Sequence, residues 1–387
     1  MSSILVSDMP AHRMTASPPL LHISDAIGLS RLLCILGIVY VHGWTGLGSD
    51  QMAMQAGSAQ DVMRWTIVEL FGRSAVPLLS IISGWLVAGS VTKRSYGAFV
   101  GGKARAILVP MLAWNLIVGA LVVGAGSLHI IAAPLMGDMR WVLDNLLSLT
   151  RAGDINVQMA FLRDLFLCML AAPLLVRLRT NWLLLVAAAA GVWMIGAWMV
   201  PLLLRPSILM FFTLGIVIRR HELAARLGGI AWWKALLPFL LIAPVKVAMS
   251  IWGEGSASYH THLLATVDLA MRGAAALLVW RAAIGLAQTN AGRGLLKFEA
   301  YAFFLFCSHL LFMWFAGPAI GDLAGPMGSR WWPVYFLLQP LLALAFAVGL
   351  AEAIKAVSPD AAERLSGGRL KVRQATSPAA RPLAHAH

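Results

Sequence analysis

Two side chains eleven positions apart offer the sharpest chemistry in this chain. The segment from Ser24 to Trp44 reads S-D-A-I-G-L-S-R-L-L-C-I-L-G-I-V-Y-V-H-G-W, with Arg31 and His42 set in an apolar run. At about 100° per residue, eleven helical steps return to within roughly 20° of the start, and they climb about 16 Å along the axis. One helix face therefore carries a permanent cation toward one end and an imidazole toward the other. The guanidinium suits an anionic partner, and the imidazole is the side chain best suited to proton transfer near neutrality. Ser24 or Asp25 stands where a residue can cap the helix start.

Other ionisable groups lie in apolar runs, where each charge asks for a partner or a polar cavity. Glu69 and Arg73 are spaced i, i+4 and form a natural pair. Downstream of them, Pro77 is expected to kink the helix, and Ser83–Gly84 are small enough to let helices approach closely. Arg163 and Asp164 open another run as F-L-R-D-L. Asp268 and Arg272 again have i, i+4 spacing, and Lys246 and His309 are further buried candidates. His260 and His262 form an H-x-H too sparse for a metal site, which needs more ligands. No metal is expected, and no phosphate-binding Gly-rich loop, nucleophile elbow or H-E-x-x-H helix occurs.

The elements that must position these groups follow from composition. Of 387 residues, 59% are hydrophobic and only 12% are charged, with a mean hydropathy of +0.78. Soluble domains carry about 25% charged residues, so a soluble enzyme and a disordered chain are both excluded. The expected fold class is all-α: a polytopic transmembrane helical bundle of about ten spans, near 27–47, 66–91, 106–126, 158–176, 182–200, 202–218, 231–251, 262–280, 300–320 and 333–354. The runs are too long and too uniformly apolar for a β-barrel.

The net charge is +13, but the basic residues fall in the gaps between runs. That placement indicates membrane topology and anionic lipid rather than nucleic acid. Lys and Arg number 19 in one set of alternate gaps and 7 in the other, which predicts both termini in the cytoplasm. Trp residues, among them Trp182, Trp232, Trp252 and Trp332, recur near the predicted span ends, where an amphipathic ring suits the headgroup region. Cys34, Cys168 and Cys307 lie within apolar runs and read as small buried hydrophobes. No cleavable signal peptide is evident, so the first span is expected to anchor the chain. The expected division is a cytoplasmic segment over 1–24, a transmembrane domain over 25–355, and a disordered basic tail over 356–387.

The chain resembles the acyltransferase-3 family of integral-membrane O-acyltransferases of bacterial cell-surface polysaccharides. The Arg31/His42 spacing carries the resemblance, together with F-G-R-S-A-V-P-L-L-S-I-I-S-G-W-L over Phe71–Leu86. F-L-R-D-L-F-L (Phe161–Leu167) and Y-A-F-F-L-F-C-S-H-L (Tyr301–Leu310) look like the family's later segments. Where family members often have Asp three positions before the Arg and Gly just after it, this chain has Gly28 and Leu32.

The resemblance implies transfer of an acyl group, expected to be acetyl, from cytoplasmic acyl-CoA to a hydroxyl of a lipid-linked or extracytoplasmic glycan. Acyl-CoA would serve as a substrate, with no permanently bound cofactor. His42 would act as general base or carry the acyl group transiently, and Arg31 would orient the donor or offset oxyanion charge. Arg73, Ser83, Glu69, Arg163, Asp164 and His309 are candidates for lining the substrate path. The implied location is the bacterial cytoplasmic membrane, among lipids and the polysaccharide-synthesis machinery. A transporter or flippase for an anionic solute or glycolipid is the alternative, since intramembrane Arg, Lys and His also suit such a path. It would call for paired broken helices in two related halves, and no such repeat is visible.

Overall fold

The computed structural model describes residues 20–91, 95–150, 155–196, 202–252 and 258–370. It is helical throughout, with no strand among the described residues. In chain order the helices are α1 (Leu20–Val41), α2 (Ser49–Met54), α3 (Ala59–Ile67), α4 (Arg73–Ala88), α5 (Tyr96–Lys103) and α6 (Val109–Ser127). Then come α7 (Met139–Leu147), α8 (Met159–Leu175), α9 (Thr180–Ile195), α10 (Pro206–Arg220), α11 (Leu223–Gly228) and α12 (Trp232–Trp252). The last are α13 (Ser258–Ala287), α14 (Asn290–Leu296), α15 (Glu299–Trp314), α16 (Ala316–Ala324), α17 (Trp332–Val357) and α18 (Pro359–Leu365).

Among the described residues, six helical stretches are long and apolar enough to cross a membrane, or seven if the α14–α15 pair, bent by 55°, counts as one. They are Ile23–Val41, Ala59–Ala88, Tyr96–Ser127, Trp232–Trp252, Thr261–Ala287 and Trp332–Val357. This is fewer than the ten runs read from the sequence, and the reason is length. α8, α9 and α10 have 17, 16 and 15 residues. At a rise of 1.5 Å per residue they reach about 23–26 Å, short of a hydrocarbon core of roughly 30 Å. Hydropathy marked them correctly as apolar but could not see where each helix stops.

Two of the long stretches are joined through π turns, Val68–Gly72 between α3 and α4 and Ala104–Leu108 between α5 and α6. The first is seated against α1: a Cβ added to Gly37 would overlap the Phe71 carbonyl, and one added to Gly72 would overlap the Val41 side chain. Pro77 does lie inside α4, but the irregularity that matters stands a turn upstream of it. π turns inside α-helices are frequent at functional sites, and this one carries Glu69 into the interior and delivers Arg73.

The core runs through α1, α4, α8, α10 and α15 and contains all three cysteines, each buried and unpaired by disulfide. Leucines remain exposed on outer faces, among them Leu116, Leu184, Leu241, Leu337 and Leu341. Exposed apolar surface of that kind is suited to lipid rather than water. The tryptophans divide. Trp182, Trp232, Trp252 and Trp331 are exposed, as interfacial rings should be, whereas Trp332 is fully buried and stacked on Phe336 at 4.9 Å. Trp332 sits at a span end for packing, not for headgroups.

The region after 355 differs from the sequence reading. α17 continues to Val357, Ser358 caps α18 by accepting from the Ala361 N–H at 3.3 Å, and the chain runs on to a buried Leu370. Residues 371–387 and 1–19 lie outside the described residues.

α4 and α10 meet backbone to backbone. A Cβ on Gly84 would overlap the Phe212 carbonyl, and one on Gly215 would overlap the Ile81 carbonyl. The two glycines act reciprocally, as small residues do where membrane helices touch backbone to backbone. Gly84→Ala should therefore destabilise the fold by about 1–3 kcal/mol through overpacking. Thermal unfolding in detergent checks this, with Gly119→Ala as the control expected to melt like the parent, since no atom lies within 4 Å of a Cβ there.

Candidate active site

α1 and α15 run side by side in the same direction, and each end of α1's polar face finds its partner on α15. At one end Arg31 Nη1 donates to Glu299 Oε1 at 3.1 Å, with both side chains about one third exposed. At the other end the His42 and His309 rings lie 5.5 Å apart, centroid to centroid. Arg31 and His42 are thus on one seam, as the eleven-residue spacing requires. Glu299 is the partner that the sequence reading missed. Its signal was an acidic residue opening an apolar run, one turn past a helix break.

His309 is fully buried. Its Nδ1 lies 2.8 Å from the Phe306 carbonyl and 3.3 Å from that of Leu305. A carbonyl only accepts, so Nδ1 carries the proton and Nε2 is left with a lone pair. Nε2 has no hydrogen-bond partner among the described residues. A buried, unpaired acceptor beside a second imidazole is unusual enough to need an explanation.

His42 is half-buried and stands just past the last residue of α1. The backbone there is pinned from α17. Gln339, itself fully buried, accepts from the Trp44 N–H at 2.9 Å and donates to the Trp44 carbonyl at 3.1 Å. Trp332 Nε1 donates to the same carbonyl at 3.3 Å. A buried glutamine with both ends satisfied is a rigid clamp, and it fixes the direction in which His42 leaves the helix.

A cavity of about 620 Å³ opens at the His42 end of the bundle. Its walls include Trp65, Arg73, Asn145, Arg205, Lys246 and Asp268. One wall is an ion network joining three helical stretches. Glu69 is buried and accepts from Arg73 at 3.1 Å and from Lys246 at 3.2 Å. Asp268 accepts from Arg73 at 3.3 Å and from Arg272 at 2.6 Å. The expected i, i+4 pairs are both present, and Arg73 and Lys246 link them across helices. Paired across helices in this way, the charges hold a polar wall inside an apolar bundle, where an isolated charge would be costly.

Asp164 supports the opposite wall. It is fully buried, accepts from Arg163 at 2.7 Å, and takes the backbone N–H groups of Leu204 and Arg205 at 3.3 and 2.8 Å. It therefore holds the start of α10 and with it Arg205, a cavity-lining cation whose charge acts on His42. His42 itself is not among the cavity's lining residues.

At the Arg31 end two smaller cavities, of about 510 and 160 Å³, share Arg31, Glu299 and Leu86. The smaller one runs inward past Ile35, Ser83, Phe161 and Phe306. Phe306 lies 6.2 Å from the His309 ring, centroid to centroid. The structure thus distributes the candidate residues over two places. Arg31 and Ser83 line the cavity at one end; Arg73 lines the other, with Glu69 paired to it and Asp164, itself paired with Arg163, holding the backbone of the lining residues Leu204 and Arg205. His42 and His309 stand between them. His262 hydrogen-bonds the Ile195 carbonyl at 2.7 Å, the side chain of His260 lies outside the described residues, and no cluster suited to a metal occurs among those described.

A protein-family model described as an acyltransferase domain (acyltransferase-3) matches residues 25–351. The chain is also 28% identical over 378 residues to the succinoglycan biosynthesis protein ExoH of Rhizobium meliloti (strain 1021), covering 92% of this chain and 96% of that protein. No solved structure matches it. Arg31, His42 and His309, together with nearly every helix that frames them, fall within the matched span. The chain belongs to the acyltransferase-3 family and is an integral-membrane acyltransferase that transfers groups other than aminoacyl groups.

Proposed function

We propose that the protein transfers an acyl group, acetyl being the expected one, from cytoplasmic acyl-CoA to a hydroxyl of a lipid-linked or extracytoplasmic polysaccharide. The observation that carries the reading is the α1–α15 seam, which joins a cationic cavity at one end to a pair of imidazoles and a polar chamber at the other. A polysaccharide acceptor accords with the 28% identity to a succinoglycan biosynthesis protein. The excess of Lys and Arg in the gaps on the Arg31 side supports a cytoplasmic donor face in a bacterial cytoplasmic membrane, with both termini on that side.

In this mechanism the charged end of acyl-CoA is held near Arg31, and its flexible arm carries the thioester along the seam toward His42. The acceptor sugar enters the chamber walled by Arg73, Asn145, Arg205 and Asp268. Its hydroxyl oxygen attacks the thioester carbonyl carbon while His42 takes the hydroxyl proton. The C–O bond forms, the C–S bond breaks, and the proton passes from His42 to the departing thiolate. Arg205 lies where a cation can offset developing oxyanion charge. In this mechanism His309 Nε2, without a partner among the described residues and on a ring 5.5 Å from that of His42, becomes the acceptor for the His42 ring N–H when substrate is bound. The chamber's mixture of amides, carboxylates and guanidinium groups suits sugar hydroxyls, and Trp65 offers an apolar face.

Three outcomes test this reading. His42→Ala should lower transfer of radiolabelled acetyl from acetyl-CoA to extracted glycan by about 10²–10⁴-fold, the usual weight of a general base. Arg31→Ala should raise the donor KM more than it lowers kcat. If either variant is expressed normally and acylates at the parental rate, its assignment fails. His309→Ala should lower kcat about 10–100-fold with little change in donor KM, because it acts through His42. His309→Gln, which keeps an acceptor atom there, should recover part of that loss. Equal losses in the two variants, together with reduced thermal stability, would reduce His309 to a packing residue.

A further inference from the structure

Beyond the span matched by the family, the chain does not simply trail away. Residues 358–370 fold back over the Arg31 end of the bundle. Trp114 Nε1 donates to the Leu365 carbonyl at 3.1 Å, and the Leu370 N–H donates to Ser366 Oγ at 3.0 Å. Gly367 and Gly368 have φ of +62° and +80° and turn the chain sharply. Such angles favour glycine, and a Cβ on Gly367 would also overlap the Ala106 carbonyl in the π turn before α6. The turn is built for close docking, and it delivers Arg369 into the same cavity that Arg31, Lys103, Glu299 and Phe303 line.

Arg369 is held from behind and open in front. Its guanidinium carbon sits 3.8 Å from the centre of the Phe303 ring. Nη1 donates to the carbonyls of Ala106 and Ser366 at 3.3 and 3.1 Å. Both bonds use one nitrogen, so Nη2 and Nε, which carry three of the five N–H groups, make no hydrogen bond among the described residues. The residue is exposed by surface area, yet protein atoms crowd it and Arg31 adds a like charge; together these pull its pKa down to about 10, leaving it protonated at neutral pH. In this small cavity with aromatic walls Glu299 is already paired with Arg31, so no carboxylate in its lining is left to meet Arg369. A planar guanidinium with free N–H groups matches phosphate oxygens.

We propose that Arg369 binds a phosphate group of the acyl donor, so that the segment Ser358–Leu370 is a wall of the donor site. The inference rests on the donor reading given above, and assigns it a residue outside the family-matched span.

Calorimetric titration of the full chain with CoA, in neutral detergent, tests it. Arg369→Gln should raise the Kd for CoA about 10-fold or more, as loss of a charge-assisted hydrogen bond does, and Arg369→Lys should recover part of that. The melting temperature without CoA should stay near that of the parent. If Arg369→Gln fails to fold, Arg369→Lys carries the test, with a weaker but measurable rise in Kd expected at full stability. Parental CoA affinity in a folded Arg369→Gln or Arg369→Lys protein overturns the inference while leaving the donor reading intact, provided that Arg31→Ala still weakens CoA. Absence of CoA binding by the parent overturns both. In a parallel arm with phosphatidylglycerol micelles, dependence of lipid binding but not CoA binding on Arg369 would make it a lipid anchor, and would also overturn the inference.

Discussion

A guanidinium inside a bilayer bundle needs a counter-charge or water, and nearly everything about this protein's centre follows from how α1 meets that need. Arg31 finds Glu299 at the start of α15. Because the two helices then run in the same direction, α15 reaches His309 as α1 reaches His42. One ion pair thus sets the register of the seam, and the register brings two imidazoles together about three turns further on. The π turn packed on Gly37, the clamp from Gln339 to Trp44 and the backbone-to-backbone contact of α4 with α10 hold the surrounding helices to that register.

The charged wall at the other end obeys the same rule with more members. Apart from Arg272, which pairs with its i+4 neighbour Asp268, the charges in it reach across helices. Arg73 divides itself between Glu69 and Asp268, and Lys246 reaches Glu69 from a different helix. Breaking one member of such a buried set leaves its partners uncompensated, so the wall behaves as a unit. A polar chamber of this size survives among apolar helices because its charges neutralise one another without collapsing onto a single pair.

Much of this was legible in the chain because helical periodicity is rigid. Eleven residues fix a face, so Arg31 and His42 had to share one; four residues fix a neighbour, so Glu69–Arg73 and Asp268–Arg272 had to pair. Ser83–Gly84 read as a packing element and proves to be one at Gly84, while Ser83 lines a cavity. Contacts between distant segments were not legible. Nothing in the spacing of Glu299, Gln339 or Lys246 announces the residue each will meet, because that depends on how helices far apart in sequence are placed. Hydropathy also does not show where a helix ends: α8, α9 and α10 are as apolar as the long stretches and differ in their length. Arg369 was hidden for a compositional reason: a Gly-, Ser- and Arg-rich stretch reads as solvated tail, yet the two glycines are what allow the chain to turn and dock.

The two cavities do not merge, and the boundary between them is chemically informative. Ala160 and Val157 face the larger chamber, while the next residue along, Phe161, faces the smaller cavity. Phe161 meets Phe306 edge-on at 5.8 Å, and Phe306 in turn lies against His309. An open water path between the two ends would breach the membrane's seal and invite hydrolysis of any activated acyl group. An aromatic septum prevents both, because closely packed rings leave no room or partners for water. His309 stands at this septum with its one free nitrogen directed at no described partner, and His42 stands beside it. Under the acyl-transfer reading, only the thioester end of a donor has to pass the rings, and it is compact and uncharged. The charged end stays with Arg31, and the sugar stays in the polar chamber. On that reading the septum separates donor from acceptor by polarity, and it puts the meeting point of the two at the His42–His309 pair.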